Sequence, residues 1–291
     1  MTELAWLGTG TMGLPMARNV IKAGGFSLRA WNRSPERAQP LAQEGATVCG
    51  EVAEAARGAA LLVTMLSDGD AVHEVAAQAL PELADGAIWI QMSTIGIEAS
   101  DRCAELAAAA GVTLVDAPVL GTRDPAEQAK LVILASGPQD TRDQVMPVFD
   151  ALGSRTLWVG DAGAGSRVKV VVNGWVVGVV GVLAEVIALA EGLDVDPSLF
   201  FEAVKGGPLD LPYAQLKGKA MMEHDFTDVS FRLALARKDG DLLLAAADEI
   251  GLQVPVMDAI VARMRKVQAE GQGDEDMAAT YSASTPKREG S

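Results

Sequence analysis

Asp161–Glu191 reads DAGAGSRVKVVVNGWVVGVVGVLAEVIALAE, and its reading decides the architecture. Past the glycines it is apolar for about six helical turns, interrupted by Arg167, Lys169, Asn173 and Glu185 before Glu191. A helix from Ser166 to Glu191 would be roughly 35 to 40 Å long, enough to run from one domain into the next. Lys169 and Asn173 are four apart, so they emerge one above the other on the same face. Gly174, Gly178 and Gly181 recur at intervals of four and three, which lets another helix approach closely. The apolar run is nearly long enough for a membrane span, but Lys169, Asn173 and Glu185 interrupt it and no second such segment exists. A buried helix whose lysine reaches the surface by its stem also fits. The preferred reading is a helix that carries an ammonium and an amide into a catalytic cleft.

Upstream of this segment the chain reads as alternating strands and helices. Leu4–Leu7 is a short apolar strand, and Gly8, Thr9, Gly10, Thr11, Met12 and Gly13 follow before a helical stretch stopped by Gly24 and Gly25. In this pattern Gly8 permits a tight turn, Gly10 lets the backbone approach a pyrophosphate, and Gly13 lets the helix pack on the strand. The anion then sits at the helix N-terminus. Phe26–Trp31 is the second strand and ends in Asn32, Arg33, Ser34 and, one turn later, Arg37. An NAD site would place a carboxylate about here for the ribose hydroxyls. A guanidinium and a hydroxyl instead match a 2′-phosphate, so NADP is favoured, the bland alternative being a turn whose arginines face water.

Further strands are expected at 60–66, 87–92, 112–116, 131–135 and 156–159, with helices between, including 70–80 and 97–110. This alternation predicts a mostly parallel sheet covered on both faces. Ligands of such sheets lie beyond the carboxyl ends of the strands, where Met65, Leu66, Ser67, Thr94 and the loop DAPVLG fall. Ser67, Ser93 and Thr94 also suit helix caps. After Gly165 the pattern is helical to Arg265, with breaks at 194–197, 206–212 and 251–255. The expected fold is an α/β Rossmann domain over 1–162 and an all-α domain over 163–291, joined through the long central helix. Residues 278–291 are expected to fray, with Tyr281 able to dock.

The chain has 291 residues and is 49% hydrophobic, which suits one large or two ordinary domains. Against 24 basic residues stand 39 acidic ones, a net charge of −15 that disfavours nucleic acid and anionic membranes. Two cysteines suggest a reducing compartment, Cys103 reading as a small buried residue in a helix. Two histidines without partners at ligand spacing argue against a metal. The N-terminus enters a strand without a basic or apolar leader, so a cytoplasmic location is expected.

Four motifs together resemble the β-hydroxyacid dehydrogenase family over residues 3 to 280: GTGTMGLPMARN from Gly8, DAPVLGTRDPAE from Asp116, GAGSRVKVVVN from Gly163 and KDGDLLLAAA from Lys238. The resemblance implies a small-molecule substrate, NADPH, and a dimer or tetramer that buries the long helix. By it, Lys169 is the catalytic lysine and Asn173 its neighbour in holding substrate. Thr94, Phe231, Lys238 and Asp239 line the nicotinamide and substrate cleft, with the loop Leu120, Gly121 and Thr122 on the substrate. Phe231 and Lys238, seven apart, would share a face of one helix if the segment is continuous. That loop usually carries a serine where this chain has Leu120, which has nothing to donate to a substrate carboxylate.

The implied chemistry is hydride transfer to the carbonyl of a small aldehyde or keto acid, of the glyoxylate or succinic semialdehyde type, or the reverse oxidation of a β-hydroxyacid. Lys169 would act as general acid or base. In the oxidative direction this lysine must be neutral, and Lys238 is a candidate source of a like charge favouring that form. An imine reductase of the neighbouring family, or a non-catalytic NADPH-binding protein, are the alternatives. The hydride-transfer scheme requires no metal.

Overall fold

The computed structural model describes residues 1–284. They divide into two compact units, 1–170 and 171–284, described separately below. The division falls inside the central helix, Ala164–Gly192, rather than at the expected 162/163. Its first turns are held within the first unit, where Ser166 is bonded to Asp116.

In the first unit, β1 (Thr2–Leu7), β2 (Phe26–Trp31), β3 (Thr47–Val48), β4 (Leu61–Thr64), β5 (Ile88–Gln91) and β6 (Thr113–Asp116) form a parallel sheet of order β3-β2-β1-β4-β5-β6. This is the doubly wound order of a Rossmann fold, and its order reverses between β1 and β4. Strand period explains the two cores. Leu4 and Trp6 face one layer with Met16, Val20 and Phe149, while Ala5 and Leu7 face the other with Val72, Ala76 and Cys103. Such double burial is why β1 reads as a continuous apolar run.

Two strands expected in the same sheet stand elsewhere. β7 (Val119–Leu120), β8 (Leu131–Ala135) and β9 (Gly153–Trp158) form a separate three-stranded sheet, antiparallel between β7 and β8. The hydropathy pattern marks a strand but not its partner, and β3 and β7, at two residues each, were too short to leave a pattern.

The second unit is helical: the rest of the central helix, then Ser198–Val204, Pro212–Glu223, Leu233–Glu249 and Pro255–Val267. All three expected breaks are present. A fourth, over 224–232, was not anticipated. His224 ends its helix in the left-handed conformation at φ 50°, and Asp225 then accepts from the Thr227 amide and hydroxyl, stopping helical continuation. Phe231 therefore precedes the helix that carries Lys238, and the shared helical face expected for the two does not exist.

The glycine stripe packs as expected. A Cβ on Gly174 would lie 2.5 Å from Leu243, and one on Gly181 2.5 Å from Ile260, so helices Leu233–Glu249 and Pro255–Val267 seat directly on these positions. The central helix is long and apolar enough to cross a bilayer by length and composition, with a mean hydropathy of 2.2, yet half of that window is buried inside the protein. Residues 277–283 form a buried 3-10 turn rather than a frayed end, with Tyr281 donating to Glu191. Of the segment expected to fray, 285–291 lie outside the described residues.

Candidate active site

The phosphate loop sits where the order of the sheet reverses. Gly8 has φ 107°, and a Cβ there would stand 2.2 Å from the Met65 carbonyl at the end of β4. A Cβ on Gly13 would stand 2.2 Å from the Gly8 carbonyl, whereas one on Gly10 would meet nothing within 4 Å. Two glycines are thus required by the protein itself, and the third leaves open space beside the backbone. The helix Gly13–Ala23 begins without a side-chain cap, which suits an anion at its positive end. These features fit a dinucleotide pyrophosphate. Thr11 is exposed and Met12 half-buried at the rim of the loop, and Thr9 is buried.

Asn32 is a tie within this region. Its Oδ1 accepts the Thr9 amide at 2.9 Å and its Nδ2 donates to the Ser34 carbonyl at 3.0 Å, joining the glycine loop to the turn after β2. Arg33 and Arg37 are exposed there, and among the described residues neither forms an ion pair. Ser34 starts the 3-10 turn Pro35–Arg37.

The β4 and β5 ends are locked together. Ser93, fully buried, accepts the Leu66 amide at 2.8 Å, and its own amide donates to Gln91 at 2.6 Å. The N-cap positions of the two following helices fall on Asp68 and Ile95, one residue beyond Ser67 and Thr94. Asp68 caps Gly69–Ala79 through the Ala71 amide, with Ser67 donating to it at 2.6 Å, and Ile95 precedes Gly96–Ala109 without a side-chain bond. Cys103 is buried in the latter helix, and desolvation pushes its thiol up to about 12.

Asp116, at the end of β6, has a role its motif did not reveal. Its carboxylate accepts the Ser166 amide at 2.7 Å and the Ser166 hydroxyl at 2.9 Å, capping the central helix from 50 residues away. Burial pushes its carboxyl up to about 6, against the lowering effect of the Ser166 bonds. A raised carboxyl favours the protonated folded state, so this group's contribution is full below pH 4 and is lost as pH rises through 6. The shift corresponds to about 3 kcal/mol. Urea unfolding of Asp116→Asn should lose that slope between pH 4 and 7, and an unchanged slope would contradict the assignment.

The loop after β6 contains Leu120, half-buried in β7, then Gly121 at φ 131° and Thr122. A Cβ on Gly121 would lie 2.7 Å from Leu131. Leu120 brings no hydrogen-bonding group, and Thr122 starts Arg123–Glu127 without a side-chain cap bond. Asn19 of the glycine-loop helix donates to the Ala126 carbonyl at 2.7 Å, a tie across 107 residues that the sequence did not signal. Lys169 is half-buried on the central helix, four residues before Asn173.

In the second unit Asn173 is buried, and its Nδ2 donates to Asp239 Oδ2 at 2.7 Å. Lys238 Nζ lies 3.2 Å from Asp239 Oδ1. One carboxylate therefore holds both groups, and it takes up one of the two Asn173 Nδ2 hydrogens and so orients the amide, whose Oδ1 is an acceptor. Lys238, the candidate like charge for Lys169, thus stands beside the Asp239 carboxylate. Phe231 lies just before the helix Leu233–Glu249, packed against the core of this unit, and its amide donates to Asp276 at 3.1 Å. Among the described residues no three His, Cys, Asp or Glu side chains are grouped to hold a metal.

Residues 3–160 match the family model of the NAD binding domain of 6-phosphogluconate dehydrogenase, and residues 163–284 match that of the NAD-binding of NADP-dependent 3-hydroxyisobutyrate dehydrogenase. Glyoxylate/succinic semialdehyde reductase 1 of Arabidopsis thaliana is 31% identical over 99% of this chain and 100% of its own length. The chain belongs to the β-hydroxyacid dehydrogenase family. As a β-hydroxyacid dehydrogenase homologue it is an oxidoreductase using a nicotinamide cofactor. Among solved structures, 3-hydroxyisobutyrate dehydrogenase of Mycobacterium tuberculosis with L-serine superposes with a TM-score of 0.88 at 27% identity, covering 97% of this chain and 98% of that one. An imine reductase from Pseudomonas sp. shares the fold with a TM-score of 0.64 at 23% identity, over 97% and 99% of the two chains.

Proposed function

We propose that this β-hydroxyacid dehydrogenase homologue is an NADPH-dependent reductase of a small aldehyde or keto acid, running in reverse as a β-hydroxyacid dehydrogenase. The observation that carries the reading is the helix-borne pair Lys169 and Asn173, with the Asn173 amide fixed by Asp239. The nicotinamide, when bound, supplies the hydride. Lys169 donates the proton that the developing alkoxide takes up, and its positive charge stabilises that oxygen beforehand. Asn173, through Oδ1, accepts either from the ammonium or from the product hydroxyl. By the family resemblance, this scheme assigns Thr94, Gly121, Thr122 and Phe231 to the substrate.

Support for NADPH over NADH comes from Arg33 and Arg37, two exposed guanidinium groups after β2 in the place of a carboxylate. Replacing both by alanine should raise the NADPH Kd at least tenfold and change that for NADH less than threefold, since each charge-assisted contact contributes about 1.5–3 kcal/mol. Equal losses for both nucleotides in a titration would refute the assignment.

The function is tested by nucleotide oxidation against glyoxylate, succinic semialdehyde, uncarboxylated carbonyls and cyclic imines. Turnover of the carboxylated aldehydes supports the reading. Preference for an imine would favour the second reading, for which the apolar Leu120 is the supporting observation. Cofactor binding without turnover would leave a binding role.

A homodimer is part of the proposal. Val171, Trp175, Val182 and Leu189 follow at intervals of four and seven along the central helix, Leu193 stands just past its end, and all are exposed, Trp175 at 67% and Leu189 at 62%. A face of this size needs a cover in water. Trp175→Glu should shift the sedimentation coefficient to that of a monomer, and an unchanged assembly would refute this face as the interface.

A further inference from the structure

The second unit buries an ion pair that the chemistry above does not use. Lys217, on helix Pro212–Glu223, and Asp276 are both 2% exposed. Lys217 Nζ donates to Asp276 Oδ1 at 2.6 Å, to Oδ2 at 2.8 Å and to Ser230 Oγ at 2.8 Å. Burial pulls the Lys217 ammonium down, opposed by Asp276. Burial alone would raise Asp276, yet the ammonium and the surrounding amides hold it below the usual carboxylate range. A buried pair of this kind is seldom more stable than two well-packed apolar side chains. Its contribution is geometric, and the bonds it makes identify what it places.

Asp276 Oδ2 accepts the backbone amides of Ser230 at 3.0 Å and Phe231 at 3.1 Å, and Oδ1 accepts that of Ala278 at 3.0 Å. Ser230 and Phe231 lie in the irregular break, where no helix or strand fixes the backbone. Around them the Met277 amide donates to the Phe231 carbonyl at 2.8 Å, and the Leu233 and Ala234 amides donate to Glu275 and Gly273 at 2.8 and 3.0 Å. Those last two bonds satisfy the start of the helix Leu233–Glu249, which carries Lys238 and Asp239. The segment around Asp276 thus sets both the Phe231 backbone and the origin of the helix whose Asp239 holds Asn173.

We propose that Lys217 and Asp276 are positioning residues for the reaction: their buried ion pair fixes Phe231 and the start of the helix bearing Asp239. The inference rests on the functional reading above, in which Phe231 and Asp239 serve the site. The test compares Lys217→Met/Asp276→Leu, Asp276→Asn, Phe231→Ala and Asp239→Asn with wild type. It measures the denaturation midpoint, the NADPH Kd, kcat and KM per nucleotide-binding site, and amide exchange at Phe231. In the double variant the expected result is a lowered midpoint, because the Ser230, Phe231 and Ala278 amides lose their acceptor, with an NADPH Kd within about threefold of wild type. Its kcat/KM for the carbonyl substrate should fall at least tenfold, since a displacement of about 1 Å is enough for that, and the Phe231 amide should exchange faster. Counting per nucleotide site removes any loss of folded protein from the comparison. If the double variant does not fold, Asp276→Asn carries the test with the same expected direction. A folded variant with kcat/KM within twofold of wild type overturns the inference. If Phe231→Ala and Asp239→Asn lower kcat/KM while the ion-pair variants do not, positioning alone is refuted. If neither has an effect, the functional reading falls and the inference with it.

Discussion

Lys169→Met should reduce kcat for carbonyl reduction by about 10² to 10⁴, the usual contribution of a positioned general acid, while the NADPH Kd changes less than threefold. The expected split follows from placement. Lys169 stands on the central helix, whereas the features fitted to the pyrophosphate are the glycine loop and the following helix terminus. Methionine keeps the length and apolar stem of lysine, so packing along the helix is preserved. A loss confined to KM would mean that the ammonium only binds substrate. Undiminished kcat would remove the lysine from the chemistry altogether.

Gly8 and Gly10 should fail in opposite ways. An alanine at Gly8 has its Cβ 2.2 Å from the Met65 carbonyl and must hold φ 107°, so Gly8→Ala should cost about 3 kcal/mol or more of folding stability. Cofactor affinity would fall with it, because the turn and the β4 end shift together. At Gly10 a Cβ touches no protein atom, so Gly10→Ala should unfold within a few degrees of wild type. Its methyl group instead occupies the space next to the backbone, and the NADPH Kd should rise at least tenfold. Calorimetry with a fluorescence titration separates the two. If Gly10→Ala binds NADPH normally, the pyrophosphate does not approach that backbone.

The contrast between these glycines also shows what a sequence can carry. Gly8, Gly10 and Gly13 were readable because each answers a local requirement of turn, approach or packing that falls at a fixed spacing. The parallel sheet was readable for the same reason, since Leu4–Leu7, 61–64 and 88–91 are buried on both faces and therefore apolar except at the strand-end Thr64 and Gln91. The helical stripe of Gly174, Gly178 and Gly181 declared close packing without naming Leu243 or Ile260 as the neighbours. Periodicity reports burial; it does not report the partner.

Tertiary structure decided the rest. β8 and β9 have the pattern of sheet strands, yet only hydrogen-bond pairing places them in a sheet of their own. Asp116 meets Ser166 across 50 residues, Asn19 meets Ala126 across 107, and Lys217 meets Asp276 across 59. The Asn173 bond to Asp239 spans 66 and orients that amide. A charged or polar side chain looks the same in sequence whether it is solvated or paired in the core, because its partner is set by the path of the backbone and not by neighbouring residues. The sequence by itself determined the fold class, the glycine loop and the lysine and asparagine on one helix. The bonds that fix those groups in place were determined only when the chain closed on itself.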